Sequence, residues 1–129
     1  MLNEEEIDVC KATFVMAVKD AVNVVSGKWK LAIVCALLQD GQRFSDLERL
    51  LGSVTSRSLS KDLKELELNG IITRGVVPGS NSSAVIYELT KSGRSLEKVI
   101  MEMASWGQVH RQGIRSKNPA LRYESLPVE

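Results

Sequence analysis

The run SVTSRSLSKDLKELELNG, residues 53–70, decides how this chain is built. Wound at about 100° per residue, it places Leu59, Leu63 and Leu66 on one face and gathers Arg57, Lys61 and Lys64 on the opposite one. Asp62 and Glu65 lie between the two faces, with Glu67 on the other flank. Thr55 stands at the capping position and Asn69-Gly70 at the end, so the segment carries both a start and a stop signal. An apolar stripe backed by a cationic one lets a helix rest on a core while its far side meets phosphates. Taken alone, the run also fits a solvated amphipathic helix, because its three cations and three acids cancel.

The flanking segments bear on that choice. Just upstream, Ser45 and Glu48 have capping-box spacing, with Leu47, Leu50 and Leu51 expected to face inward and Gly52 to stop the helix. A helix, a short Gly-led turn and a capped helix with basic residues near its start follow helix-turn-helix order. Downstream, two β-rich runs at 71–77 and 84–89 flank Pro78-Gly79-Ser80-Asn81-Ser82-Ser83, a tip of strong turn formers. A hairpin in that place is a wing. Ahead of the pair a further helix is expected over 28–39, with Ile33, Val34, Leu37 and Leu38 apolar and Cys35 a small buried filler.

Two longer seams lie outside this core. The first starts at Asn3, capped with Glu6, and carries Ile7, Cys10, Phe14, Ala17, Ala21 and Val24 at spacings of three and four, ending at Ser26-Gly27. The last starts at Thr90 and lines up Leu96, Val99, Ile100, Met103, Trp106 and His110; its periodicity fails beyond Gln112. The expected class is α+β: a winged helix-turn-helix with a three-helix core, a hairpin wing and terminal dimerisation helices over 1–112, then a tail at 113–129.

Composition narrows the function. A hydrophobic content of 43% and a charged content of 26% describe an ordinary globular domain. The net charge of +1 does not announce nucleic-acid binding, so any basic surface must come from placement. Glu4-Glu5-Glu6 stand where a signal peptide would be basic, and no apolar run approaches a membrane span, which points to the cytoplasm and away from a membrane partner. Cys10 and Cys35 form neither a metal motif nor a disulfide framework. With no nucleophile elbow, phosphate loop or metal spacing, neither an enzyme nor a cofactor is expected.

The chain resembles the HxlR family of winged helix-turn-helix transcriptional regulators. The resemblance rests on Gly27-Lys28-Trp29, Arg43-Phe44-Ser45-Asp46-Leu47, the run from Leu59 to Glu67, and Tyr87-Glu88-Leu89-Thr90. Gly93-Arg94-Ser95-Leu96 and Trp106-Gly107 complete it, in order over 22–110. It implies a cytoplasmic DNA-binding regulator that forms homodimers through its first and last helices.

On that reading Arg57, Lys61 and Lys64 are the first candidates for contact with double-stranded DNA. Ser56, Ser58 and Ser60 are short donors near the helix start. Arg43 and Ser45 sit where the preceding helix would cross the backbone. Lys28 and Lys30 flank Trp29, placed in the core, as a phosphate clamp; Arg74 and Asn81 belong to the wing. The dimer contact would use Phe14, Leu96, Val99, Ile100, Met103 and Trp106, with His110 packed beside them. Cys10 reads either as a packing residue or as a thiol switch. The alternative function, suggested by near-neutral charge and a polar wing tip, is a winged-helix protein–protein module that does not bind DNA. A small-molecule effector also stays open, while operator, target genes and direction of regulation are beyond the sequence.

Overall fold

In the computed structural model, residues 1–77 and 84–117 are described. The element order is α1 (Glu4–Val25), α2 (Lys30–Leu37), α3 (Phe44–Leu51), α4 (Ser56–Leu68), β1 (Ile72–Val76), β2 (Val85–Leu89) and α5 (Lys91–Lys117). The described residues fall into two compact units, divided between Arg94 and Ser95.

The core of the first unit is small and built from every central element. Ile33, Val34 and Leu37 of α2, Leu47 of α3, Leu59, Leu63 and Leu66 of α4, and Ile72 and Leu89 of the hairpin are all buried. Burying side chains of this size contributes about 1.5–3 kcal/mol each. The leucine stripe of α4 is therefore the face that seats it on α2 and β1.

Helix ends follow local chemistry. Asn3 accepts the Glu6 amide at 2.8 Å while the Glu6 carboxylate accepts the Asn3 amide at 3.0 Å, closing the expected capping box of α1. Thr55 Oγ1 accepts the Ser58 amide at 3.1 Å and starts α4. Gly52 and Gly70 end α3 and α4 with φ of 70° and 73°, where a side chain would be strained. At the start of α5, Thr90 Oγ1 accepts the Gly93 amide at 3.0 Å, and the Thr90 amide donates to the Ile71 carbonyl at 3.0 Å.

The hairpin is antiparallel, with Ile72 opposite Leu89 and Arg74 opposite Tyr87. Its ladder continues through the Val77 amide to the Ala84 carbonyl at 3.0 Å. Gln42 adds an isolated bridge to β2 that acts as a further rung: its amide donates to the Tyr87 carbonyl at 3.0 Å and its carbonyl accepts the Tyr87 amide at 2.8 Å. That rung fixes the approach to α3 against the wing.

Four expectations are corrected. The start of α3 is Arg43, not Ser45: the Asp46 carboxylate accepts the Arg43 amide at 3.2 Å, leaving Ser45 exposed in the first turn. The Glu48 side chain is consequently free of the capping role expected of it, while its carbonyl accepts the Gly52 amide at the end of α3. Leu50 is exposed rather than inward, because the short α3 offers only its Leu47 edge to the core. Cys35 is exposed, since α2 buries Ile33, Val34 and Leu37 and turns position 35 outward. Finally, α5 continues to Lys117 past the end of its apolar periodicity, with Ser116 Oγ bonding back to the Gln112 carbonyl at 3.0 Å.

Candidate nucleic-acid interface

The outward face of α4 is polar and exposed. Arg57, Ser60, Lys61 and Lys64 are exposed, and among the described residues none of the three cations forms a salt bridge. Their acidic neighbours are treated differently. Asp62 is buried and accepts the Trp29 amide at 3.3 Å, across 33 positions of chain. Glu65 takes the ammonium of Lys30 at 2.5 Å. That contact holds the Glu65 carboxyl below its ordinary range, chiefly through the Lys30 hydrogen bond, with smaller help from the charges of Lys30 and Lys61 against some desolvation. Only Glu67 stays exposed on the helix without such a partner. The cancellation of charge counted along the sequence therefore does not hold on the surface.

Lys30 has to be removed from the phosphate clamp. It is 4% exposed, because its stem lies in the core and its head is spent on Glu65. Lys28 does remain exposed, with Nζ 5.4 Å from the Trp29 ring centroid, a cation–π distance. Trp29 is half-buried rather than a core residue, as it must also cover the α2 start.

The serines separate. Ser56 Oγ donates to Glu48 Oε2 at 2.7 Å and ties α4 to α3, so its proton is committed. Ser58 is half-buried with its amide on Thr55, whereas Ser60 faces out. Arg43 is exposed at the start of α3, and Arg74 is exposed on β1. Asn81 and Ser82 lie outside the described residues. Glu48 and Glu65 were not legible as partners of Ser56 and Lys30, because those contacts join different helices.

The terminal helices present apolar surface. None of the 22 residues of α1 is buried, and Phe14 is 70% exposed. Cys10 is an exposed thiol lining an apolar hollow on α1 with Leu2, Ile7 and Phe14. On α5, Val99, Met103 and Trp106 are exposed, Leu96 and Ile100 half-buried. His110 stacks on Trp106 with ring centroids 4.7 Å apart and an interplanar angle of 14°. Among the described residues no group of three potential metal ligands occurs, and no helix is long and apolar enough to cross a membrane.

The model of the HxlR-like helix-turn-helix family matches residues 24–114. The HTH-type transcriptional regulator YtcD of Bacillus subtilis is 37% identical over 100 residues, covering 78% of this chain and 79% of YtcD. The crystal structure of YtcD superposes with a TM-score of 0.68 at 38% identity, over 72% of this chain and 94% of that one. The redox regulator HypR in its reduced form superposes with a TM-score of 0.70 at 34% identity, over 78% of this chain and 98% of that one; its oxidised form is also similar. YtcD is described as a regulator of transcription and HypR as a redox regulator. The chain belongs to the HxlR-like helix-turn-helix family of DNA-binding transcriptional regulators.

Proposed function

We propose that the protein binds an inverted-repeat operator as a homodimer, with α4 of each protomer in the major groove. The observation that carries this reading is the outer face of α4, where Arg57, Lys61 and Lys64 are exposed while Asp62 and Glu65 are withdrawn by Trp29 and Lys30. Ser60 supplies a short polar group on that face, whereas Ser56 is held by Glu48 and Ser58 is half-buried; Arg43, Ser45 and Lys28 supply phosphate contacts from the flanking helix starts. Arg74 and Asn81 serve the wing. Residues 1–112 act as one functional domain.

Dimerisation is supported by the apolar surface left on each terminal helix, including Phe14, Leu96, Val99, Ile100, Met103 and Trp106. Patches of that kind on a small protein mark interaction sites, and twofold pairing is the commonest way to cover them. Two reading helices about one DNA turn apart recognise far more sequence than one.

Selection of bound duplexes from a random DNA pool tests the proposal: enriched inverted repeats are expected. Arg57→Ala and Lys61→Ala should then weaken operator binding by about 1–3 kcal/mol each where the side chain reads a base. Recovery of no motif, with unaltered binding by both variants, would reject α4 as the reader and favour a protein-binding module.

A second reading concerns Cys10. Its thiol is exposed within the apolar stripe of α1, and HypR is described as a redox regulator. Oxidation there would add bulk and polarity to a packing surface. Operator affinity of wild type and Cys10→Ser, before and after mild oxidation, decides it; an equal response in both leaves Cys10 a packing residue.

A further inference from the structure

The cationic face of α4 depends on a residue that is not on α4. Lysine and glutamate four positions apart on a helix are neighbours that can pair, less strongly when the lysine comes first, and Lys61 and Glu65 stand at that spacing. Here they form no salt bridge. Glu65 reaches the other way, to Lys30 Nζ at 2.5 Å, and Lys61 acts on that carboxylate only as a lesser charge.

The competition has a physical winner. The Lys30 side chain is 5% exposed and that of Glu65 39%. A buried ammonium without a counter-charge is heavily penalised, whereas an exposed one is solvated with or without a partner. Lys30 therefore holds Glu65 more firmly than Lys61 can. Asp62 is withdrawn in parallel by the Trp29 amide, one residue from Lys30. Both acids on the inner flank of α4 are thus satisfied by the start of α2.

Resting on the reading of α4 as the DNA-facing helix, we propose that Lys30 is a positioning residue for DNA recognition. By keeping Glu65 at the α2–α4 seam, it leaves Lys61 unpaired on the outer face and free to take a phosphate or a base edge. Lys30 itself touches no DNA.

The test measures affinity of the full chain for a random-sequence DNA duplex as a function of salt. In Lys30→Met the Glu65 carboxylate closes on Lys61 and one phosphate contact is lost. Affinity then falls about fivefold to tenfold at roughly 0.1 M salt, and the salt slope drops by about one. Glu65→Gln removes the competitor, so it binds no more weakly than wild type and keeps its slope. Lys30→Met/Glu65→Gln does the same. Adding Lys61→Ala to Lys30→Met gives no further loss, the signature of two changes acting through one contact. Equal weakening in Lys30→Met and Glu65→Gln would mean that the pair only stabilises the fold, and would overturn the proposal, as would a wild-type slope in Lys30→Met. Should circular dichroism show Lys30→Met unfolded, the double variant still decides: a lost unit of slope there overturns the proposal. Lys61→Ala alone separates the two levels. Unchanged binding in that variant rejects the reading of α4, whereas a loss there with an unaffected Lys30→Met rejects only the role of Lys30.

Discussion

Gly93→Ala puts opposing effects of known size at one buried position. Gly93 lies in the first turn of α5, directly against the Ile71 carbonyl oxygen. A Cβ at this position would fall well inside contact distance of that oxygen and 3.1 Å from Leu89 Cδ2. The carbonyl has little freedom to swing away, because it accepts the Thr90 amide that launches α5. Overpacking of this kind costs about 1–3 kcal/mol. Alanine returns up to about 1 kcal/mol of helix propensity. The clash wins, with a net loss of about 1–2 kcal/mol, and the melting temperature should drop by roughly 3–5 °C for each kcal/mol in a chain of this size. Gly113→Ala is the internal control, since nothing lies within 4 Å of an added Cβ there. It should gain about 0.5–1 kcal/mol. Urea unfolding at one fixed protein concentration reads both, the fixed concentration removing any mass-action contribution from self-association. A Gly93→Ala protein as stable as wild type would refute the argument that this glycine is required by close approach.

Three further outcomes follow from the same geometry. Thr55→Ala deprives the Ser58 amide of its acceptor and should cost about 1 kcal/mol in urea unfolding, and an unchanged midpoint would mean that the cap contributes nothing. Because the Glu65 carboxyl is lowered in the folded state, its contribution to stability is complete above the ordinary carboxylate range and is lost as pH falls through the lowered value. The stability gap between wild type and Glu65→Gln should accordingly narrow below about pH 4, and a gap independent of pH would contradict the pairing with Lys30. Partial burial pushes the Cys35 thiol up, so alkylation of Cys10→Ser protein at neutral pH should run slower than that of a small free thiol of ordinary pKa. An equal or faster rate would show that the neighbouring surface does not shield it.

What could be read along the chain was what neighbours a few residues apart decide. Asn3 with Glu6, Thr55 with the Ser58 amide, and Thr90 with the Gly93 amide are contacts over three positions, so spacing alone locates the helix starts. The leucines of α4 recur with the helical period, and their burial follows once the segment has any core to rest on. Spacing misplaces the cap of α3 because two acids, Asp46 and Glu48, each lie three positions after a possible first residue, and it is Asp46 that takes the amide of Arg43. Cys35 illustrates the weakness of an unbroken apolar run: without periodicity, nothing in residues 31–38 says which side of α2 turns outward.

Tertiary structure decided the electrostatics. Along the sequence, Lys30 is one more exposed cation and Glu65 one more acid that cancels the charge of α4. Packing α2 against α4 brings these residues to 2.5 Å and carries Asp62 to the Trp29 amide. A buried charge takes its partner from whatever element the fold lays beside it, and that partner lies 33 or 35 positions away in these two cases. Charge counting by segment cannot see such pairs, whereas backbone capping and apolar periodicity are local and can be counted. The location of the helices was therefore legible in the sequence, and which of their charges stay free to act was settled only by the fold.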